Sequence, residues 1–515
     1  MNGAESLVKT LLAGGVDVCF ANPGTSEMHF VAALDKIPGM RCVLGLFEGV
    51  VTGAADGYYR MADKPASTLL HLGPGLANGL ANLHNAKKAD SGIVNIVGEH
   101  ATYHIEYDAP LTSDIEGLAR PMSHWVRTSP DAQSVAADGA AAIQAANAVP
   151  GQIATLILPA DTAWSPAETV AETQAASPPT PVSQDAVIAA AKMLRSGNKT
   201  TLMLGGRALR SCPLELVGRI VAKTGCGVLT EWSNTRFERG AGRIQINRIP
   251  YPVDKALPVM RDAGDLVLVG AREPVAFFAY PDKPSRLMPD DAHTMELADN
   301  GADIEAALEA LADELEARST PPAQIAEPRR PDIPQGPNNP ATIAAVLGNR
   351  IPENAIVVDE SVSTGRDFFL ETAGAPPHDW LNNRGGSIGY GLPVAVGAAI
   401  ACPDRKVILL QSDGSGMYTV QSLWTMAREN LDITVLVFAN NSYNILRGEL
   451  TNVGVQNPGP RAIDMLSLDR PTLDWVSLAH GMGVEAMRAD DAPTLAKAFD
   501  AGLASEGTFL IQVNM

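Results

Sequence analysis

The chain has little cysteine, few aromatic residues and no long apolar run. Aromatic residues make up 5% of its 515 residues. No stretch approaches the roughly 18 apolar residues of a membrane-spanning helix, and the amino-terminal segment lacks the basic and apolar regions of a signal peptide. The cysteines are scattered, with no CxxC pair: Cys19, Cys42, Cys212, Cys226 and Cys402. We therefore expect reduced thiols in a cytoplasmic protein and no cysteine-based metal site.

Basic residues are also fewer than acidic residues. The chain has 39 Lys and Arg residues against 58 Asp and Glu residues, which gives a formal net charge of −19. Such a surface argues against nucleic acid and against an anionic membrane as partners. It is compatible with a small anionic substrate, because a local pocket can still be positive.

Short apolar strands alternate with helical segments along the chain. At roughly 100–200 residues per domain, the length predicts about three domains. Two Pro-rich stretches, Ala163–Ser183 and Ser319–Pro340, are typical of surface linkers. The sequence predicts an α/β protein of three domains, each a mainly parallel sheet flanked by helices. The predicted domains are residues 1–165, 184–318 and 341–515.

Polar residues follow two neighbouring apolar strands of the third predicted domain. The strand Lys406–Gln411 runs into a turn containing Asp413, and the strand Ile433–Ala439 ends at Asn440. Parallel strands joined by one helix have their carboxyl ends at the same sheet edge, so we expect the two side chains to lie close together. Their oxygens suit Mg²⁺, and two diphosphate oxygens would nearly complete its octahedral shell. A lone Asp-Gly turn is usually only a helix cap, but the whole arrangement favours a metal-held diphosphate site.

The segment resembles the thiamine diphosphate motif, GlyAspGly followed further along by AsnAsn, with Ser412 in place of the first glycine. The chain thus resembles the thiamine diphosphate-dependent enzymes. The resemblance implies that Asp413, Asn440 and the carbonyl of Ser442 hold Mg²⁺, with Asn441 as the alternative to Asn440. It also implies cofactor contacts from the same segment: Asp413, Gly414, Ser415, Asn440, Ser442 and Tyr443.

The resemblance implies three further contacts. An acid must hydrogen-bond the pyrimidine nitrogen, and Glu48, which precedes AlaAlaAspGlyTyr, matches it. That acid promotes the cofactor ylid, which attacks the substrate and leads to an enamine or carbanion intermediate. Ile388 would wedge under the cofactor, and the carbonyl of Gly386 would accept from its amine. Ser363 would contact the diphosphate. Taken alone, Glu48 is an ordinary first-turn glutamate and Ser363 an ordinary polar cap.

Over essentially its whole length the chain resembles benzoylformate decarboxylase and the acetolactate synthase catalytic subunit. In the decarboxylase a hydroxyl and a histidine meet the substrate, and Thr25 and His71 match them. The simpler interpretations are a helix cap for Thr25 and a structural histidine for His71. The decarboxylase's second histidine has no counterpart in Glu273–Pro281, whose aromatic residues would line a pocket or only pack. The segment Arg447–Leu468 would form a mobile lid.

These matches predict a thiamine diphosphate- and Mg²⁺-dependent 2-oxo acid decarboxylase or carboligase, with an aldehyde as acceptor in the second case. The alternatives are an acetolactate synthase-type condensation of two 2-oxo acids and a catalytically silent subunit. Glu48, Asp413 and Asn440 argue against the silent subunit. No flavin is expected. In this family the cofactor lies between the first domain of one subunit and the third domain of another, so we expect a homodimer or homotetramer.

Overall fold

Short strands buried on both faces form three mainly parallel sheets in the computed structural model, which describes residues 1–515. Strands rich in Val, Ile and Leu on both faces need helices on either side, because exposing that apolar surface to water is unfavourable. The sheets have six, five and seven strands. The α/β fold class predicted from the sequence is confirmed.

The first sheet is parallel throughout, in the order β2-β1-β3-β4-β6-β5. Its strands are β1 (Val18–Asn22), β2 (Arg41–Leu44), β3 (Ala66–Leu70), β4 (Ile93–Glu99), β5 (Trp125–Thr128) and β6 (Ile153–Pro159). Its helices are α1 (Gly3–Ala13), α2 (Met28–Lys36), α3 (Glu48–Ala62), α4 (Leu72–Lys88), α5 (Ile115–Ala119), α6 (Val135–Ala146) and α7 (Ala160–Trp164).

The middle block contributes strands to two sheets. Its strands are β7 (Thr200–Leu204), β8 (Gly227–Thr230), β9 (Phe237–Arg239), β10 (Asn247–Arg248), β11 (Asp265–Val269) and β12 (Thr294–Ala298). All except β9 form the middle sheet, in the order β10-β8-β7-β11-β12. Its helices are α8 (Gln184–Arg195), α9 (Ser211–Thr224), α10 (Val253–Ala263) and α11 (Ile304–Glu314).

The third sheet has the order β17-β18-β16-β15-β13-β14-β9, and β9 is its antiparallel edge strand. Its other strands are β13 (Ile356–Glu360), β14 (His378–Asn382), β15 (Val407–Ser412), β16 (Ile433–Ala439), β17 (Glu485–Ala489) and β18 (Phe509–Asn514). Its helices are α12 (Pro340–Arg350), α13 (Phe368–Glu371), α14 (Gly391–Ala401), α15 (Asp413–Gly416), α16 (Ser422–Arg428), α17 (Asn444–Asn452), α18 (Pro460–Asp464), α19 (Trp475–Gly481) and α20 (Ala492–Ala504).

The helices are short, and the longest of them, α4, has 17 residues. None of them combines the length with the apolar character that crossing a membrane requires.

Helices α3 and α14 join the first and third sheets through glycine. A Cβ on Gly57 would lie 2.2 Å from the Val394 carbonyl oxygen, and one on Gly397 would lie 1.9 Å from the Ala54 carbonyl oxygen. Only glycine permits such close backbone approach. The AlaAlaAspGly run that follows Glu48 is therefore needed for this packing. The packing in turn holds α3, the helix that begins with Glu48, in place.

A buried histidine lies where β9 meets β14. The Nδ1 of His378 donates to the Pro376 carbonyl at 2.7 Å, and its Nε2 accepts from Nη1 of Arg239 at 3.2 Å. Burial, reinforced by the Arg239 guanidinium, lowers the pKa of His378 to about 3. The imidazole is therefore neutral in the folded chain at neutral pH.

This histidine should make the protein sensitive to acid. In the unfolded chain the imidazole takes up a proton near pH 6.5, whereas the folded chain resists it down to about pH 3. Neutral His378 thus makes its full contribution to the free energy of unfolding above pH 6.5. That contribution is lost as the pH falls, at about 1.4 kcal/mol per pH unit. Between pH 7 and pH 4.5 we expect the thermal unfolding midpoint to fall more in the wild type than in His378→Gln. Equal falls in both proteins would contradict this account.

Candidate active site

The turn after β15 brings a buried carboxylate to the end of β16. Asp413 is 1% exposed, and its Oδ2 accepts the backbone N–H of Asn441 at 2.6 Å while its Oδ1 accepts that of Gly414 at 2.8 Å. Burial raises the pKa of Asp413, and these hydrogen bonds lower it in part. No cationic side chain is among its hydrogen-bond partners. The structure thus brings together the strand ends that the sequence predicted as neighbours.

The helix predicted between these strands is interrupted. Only the single turn α15 follows Ser412, and α16 begins six residues after α15 ends, at Ser422. The four-residue α15 packs against the segment after β16, since a Cβ on Gly414 would lie 2.5 Å from the ring of Tyr443. Glycine at position 414 therefore allows this turn to pack closely against Tyr443, at a position where the resemblance implies a cofactor contact.

The segment after β16 offers oxygen atoms beside Asp413. The Oδ1 of Asn440 accepts the N–H of Ser442 at 3.0 Å, and the side-chain oxygen of Asn441 is buried without a partner. The Tyr443 carbonyl accepts the N–H of Leu446 at 2.9 Å as α17 begins, whereas the Ser442 carbonyl accepts no hydrogen bond from the chain. Both asparagines and the Ser442 carbonyl are therefore available as ligands.

The carbonyl groups of the glycine-rich loop before α14 differ in their hydrogen-bond partners. The carbonyls of Gly385, Ser387 and Gly389 accept side-chain hydrogen bonds from the first sheet's helix α4 or from Asn383. The carbonyl of Gly386 accepts none from the chain. The Ile388 side chain is 37% exposed, so it projects from the loop instead of packing in the core. The roles of Gly386 and Ile388 toward the cofactor stay predictions.

Asparagines on α4 tie that loop to α3. Asn78, Asn82 and Asn85 lie on one helix face. Asn82 Nδ2 donates to the Gly49 carbonyl at 2.7 Å and to the Gly389 carbonyl at 3.2 Å, and Asn85 bonds both the N–H and the carbonyl of Ser387. The loop is therefore held by the first sheet of its own chain.

Glu48 begins α3 and is 8% exposed. Its Oε2 accepts from Nδ2 of Asn78 at 2.9 Å. A Cβ on Gly75 would lie 3.1 Å from Glu48 Oε1 and 3.3 Å from Cβ of His71, so the carboxyl and the histidine flank the same glycine. Within the chain, Glu48 shares no hydrogen bond with Asp413.

His71 forms a pair with a glutamate that sequence reasoning missed. Its Nδ1 lies 2.8 Å from Oε2 of Glu27, which also accepts the N–H of Gly24 at 2.7 Å. Burial raises the pKa of Glu27, and the imidazole opposes that shift. Thr25 begins the 3₁₀ turn Thr25–Glu27 and its side chain is exposed. Glu27 thus connects the turn that contains Thr25 to the histidine at the end of β3.

Two aliphatic residues at strand ends have left-handed backbone conformations. Leu72, directly after His71, has φ 48°, and Val362, directly before Ser363, has φ 50°. A β-branched or bulky residue rarely adopts this conformation, and such strain concentrates at functional sites. Ser363 is half-buried at the turn that Val362 creates. No sequence pattern predicts this conformation, because these residue types disfavour it.

Aromatic residues of the middle block cover the glycine-rich loop. They form an aromatic wall whose rings pack edge-to-face or tilted, with centroids 4.7–5.6 Å apart: Trp232, Tyr251, Phe277 and Phe278. A Cβ on Gly386 would lie 2.5 Å from the Phe277 ring. The aromatic residues of the segment 273–281 therefore lie at the candidate site.

The segment predicted as a lid, residues 447–468, contacts the same part of the middle block. The hydroxyl of Tyr280 donates to Glu449 on α17 at 2.8 Å. The segment is also held to the residues that follow β16, where the N–H of Tyr443 donates to the Leu466 carbonyl at 3.0 Å and the N–H of Leu468 donates to the Asn441 carbonyl at 2.8 Å. Mobility of this lid stays a prediction.

Sequence comparison identifies the family. Residues 1–124 match the domain described as "Thiamine pyrophosphate enzyme, N-terminal TPP binding domain". Residues 369–513 match "Thiamine pyrophosphate enzyme, C-terminal TPP binding domain". The matches contain Glu48 and His71 in one case and Asp413 and Asn440 in the other.

Relatives that match nearly the whole chain show to which group of thiamine diphosphate enzymes it is similar. The chain is 52% identical over 515 residues to the Mycobacterium tuberculosis protein named "Putative acetolactate synthase large subunit IlvX", with 100% of this chain and 99% of that protein covered. It is 31% identical to benzoylformate decarboxylase of Pseudomonas aeruginosa, with 97% and 96% covered. The solved 4-hydroxybenzoylformate decarboxylase of Rhodococcus jostii RHA1 shares the fold, with a TM-score of 0.87 at 24% identity, covering 100% of this chain and 99% of that one. The chain therefore belongs to the thiamine diphosphate (thiamine pyrophosphate) enzymes, in the family of the decarboxylases and acetolactate synthases.

Proposed function

We propose that the protein is a Mg²⁺-dependent decarboxylase or carboligase of 2-oxo acids with an apolar side chain. The observation that carries this proposal is the buried carboxylate of Asp413, which has only backbone donors and lies beside two asparagine amides. A buried anion without a counter-charge is costly. A divalent cation held by Asp413 would supply that charge.

The residues of the site fit the metal and the cofactor. Asp413, the amide oxygen of Asn440 and the carbonyl of Ser442 would hold Mg²⁺, with Asn441 as the alternative amide. The carbonyl of Gly386 supports the fit, because it is free to accept from the cofactor's amine. The remaining contacts proposed for the cofactor are Ser363, Ile388, Gly414, Ser415 and Tyr443.

When bound, thiamine diphosphate supplies a nucleophilic carbon and a sink for the electrons released on loss of carboxylate. Glu48 would hold a proton at the pyrimidine ring nitrogen, and Asn78 orients its carboxyl through the 2.9 Å hydrogen bond. His71 would exchange a proton with the substrate through Nε2, because Glu27 engages Nδ1. The Thr25 hydroxyl lies in the turn beside that histidine and would contact the substrate.

Exposed aromatic rings over the loop support an apolar substrate side chain. Phe277, which overlies Gly386, is 39% exposed, and Phe278 is 54% exposed. Exposed aromatic rings around a polar centre are typical of a ligand site. The 2-oxo acid group would face His71 and the apolar side chain would face Phe277.

A second copy of the chain would complete the site. Glu48 and Asp413 lie at the ends of different sheets and share no hydrogen bond, and the resemblance to the thiamine diphosphate enzymes implies that such groups come from two subunits. Ile388 and Tyr418 are 37% and 54% exposed beside the loop, which supports a partner surface there. We propose a homodimer or a homotetramer on this basis.

The test is a panel of 2-oxo acids with small, branched and aromatic side chains, assayed for carbon dioxide release with and without an aldehyde. We expect release from substrates with large apolar side chains. An acetolactate synthase-type reaction is the second candidate, which the 52% identity to a protein bearing that name supports. Condensation of two pyruvate molecules would favour it. No release from any member would reject both.

The Glu27–His71 pair gives a second prediction. In Glu27→Gln the neutral amide oxygen binds the Nδ1–H of His71 less strongly than the carboxylate does. The amide can also turn its NH₂ group toward Nδ1, so the imidazole loses its fixed tautomer. We expect kcat to fall about 10- to 100-fold, no more than the lower end of the contribution of general acid–base catalysis, because His71 itself is retained. In a His71→Ala background the same substitution should have little further effect. Additive losses would show that Glu27 does not act through His71.

A further inference from the structure

A buried carboxylate and a buried amide connect two turns of the site. We propose that Glu360 and Gln411 are positioning residues that fix the turn 388–391, which contains the wedge Ile388, against the diphosphate turn 412–415. The inference rests on the proposed function, because it takes these turns as the two ends of one cofactor site.

Glu360 is a template for the first turn. It lies at the end of β13 and is 4% exposed. Its Oε1 accepts the N–H groups of Gly389 at 2.8 Å and Tyr390 at 3.1 Å, and its Oε2 accepts that of Gly391 at 2.8 Å. Three successive backbone donors thus converge on one carboxylate. Only a group that accepts at both oxygens can satisfy them, and an amide cannot.

Gln411 carries the connection to the second turn. It ends the buried part of β15, next to β13, and its Nε2 donates to Glu360 Oε2 at 3.0 Å and to Oγ of Ser415 at 2.5 Å. The Oγ of Ser415 in turn lies 2.7 Å from that of Ser412. One chain of hydrogen bonds therefore runs from the wedge turn to the diphosphate turn.

The turn 388–391 packs closely against Glu360 and Gln411. A Cβ on Gly391 would lie 2.5 Å from Oε1 of Gln411 and 2.9 Å from Cβ of Glu360. Ile388 itself is partly exposed and has no buried pocket of its own, so its position depends on the residues that follow it. Sites held by locked neighbours keep their reactive geometry better than sites on free loops.

The test compares Glu360→Gln with the wild type in two measurements. Amide hydrogen exchange of the cofactor-free protein reports the turn directly, and we expect at least about tenfold faster exchange at Tyr390 and Gly391, since one lost charged hydrogen bond corresponds to that factor. Calorimetry with Mg²⁺ should show at least about tenfold weaker binding of thiamine diphosphate. The matched control is Glu238→Gln, which changes a partly buried carboxylate on β9 of the same sheet and should leave both unchanged.

Gln411→Met separates the two halves of the connection. It keeps the three backbone bonds of Glu360, so the exchange at Gly391 should stay near the wild-type rate while cofactor binding weakens. The double variant should lose less than the sum of the single losses, because both residues act in one chain of bonds. If Glu360→Gln does not fold, the Gln411→Met measurements decide.

Unchanged exchange at Tyr390 and Gly391 in Glu360→Gln would overturn the inference, as would unchanged cofactor binding in Gln411→Met. These results are distinguishable from failure of the proposed function. In that case the wild type itself does not bind thiamine diphosphate, whereas the exchange measurement needs no cofactor.

Discussion

Replacing Glu48 with glutamine is expected to lower kcat by about 10²- to 10⁴-fold, the contribution of a positioned proton-transfer group. Glutamine has the same size and its carbonyl can still accept from Asn78, so the helix start at α3 should be preserved. It cannot take up or release a proton at the pyrimidine nitrogen. Steady-state turnover on the best substrate of the 2-oxo acid panel measures the effect.

Two further measurements test whether the loss of turnover is specific to the role of Glu48. Glu116→Gln is the matched control, since it removes a partly exposed carboxylate from helix α5 of the same sheet and should keep full turnover. Calorimetry should show that Glu48→Gln still binds thiamine diphosphate with Mg²⁺, which separates lost chemistry from lost binding. A Glu48→Gln protein with wild-type kcat would remove Glu48 from the mechanism.

Replacing Asp413 with asparagine is expected to weaken Mg²⁺-dependent cofactor binding by about 10²- to 10³-fold, because it removes one partner of a buried charge pair. The asparagine side chain keeps an oxygen for one backbone N–H, so folding should be less affected than binding. Titrations of thiamine diphosphate at fixed Mg²⁺ measure the loss. Wild-type affinity in this variant would place the metal elsewhere.

The two neighbouring asparagines allow a matched comparison. Asn440→Ala removes the amide that is the predicted ligand. Asn441→Gly removes the other amide but tolerates the left-handed φ of 53° at that position and keeps the N–H donated to Asp413. We expect Asn440→Ala to bind the cofactor more weakly than Asn441→Gly. The reverse order would assign the ligand to Asn441, whose side-chain oxygen is buried without a partner.

The same variants test whether two chains share each site. Chains with Glu48→Gln and chains with Asp413→Asn are each expected to be nearly inactive. If one site takes Glu48 from one chain and Asp413 from its partner, mixed oligomers contain one intact site and recover part of the wild-type turnover. No recovery after exchange of subunits would mean that each site lies within one chain.

The sequence predicts those parts of the site that depend on short-range order. Asp413 and Asn440 follow apolar strands directly, and parallel strands place such residues at one edge, so their proximity follows from local pattern. Glu48 and His71 also lie directly after a strand or its turn, but their roles were assigned from the resemblance to the thiamine diphosphate enzymes. In all these cases the informative residue is polar and interrupts a buried apolar run.

The contacts that hold these residues depend on long-range order and were not predicted. Glu27 meets His71 only because β1 and β3 are neighbours in the sheet, and Glu360 meets the 389–391 turn only because α14 begins above β13. The edge strand β9 leaves the middle block to join the third sheet, which no periodicity in three residues can reveal. The strained turn at Val362 runs against the preference of its own residue type. Each of these features is decided by tertiary packing, which overrides local propensity.

The most direct test of the account is isothermal calorimetry of the wild-type chain with thiamine diphosphate, in the presence of Mg²⁺ and again with a chelator. The account predicts saturable binding with Mg²⁺ and a large loss of affinity when the metal is removed, because Asp413 and the diphosphate would then face each other as unscreened anions. Absence of binding with Mg²⁺, or equal affinity with the chelator, would contradict the proposed site at Asp413.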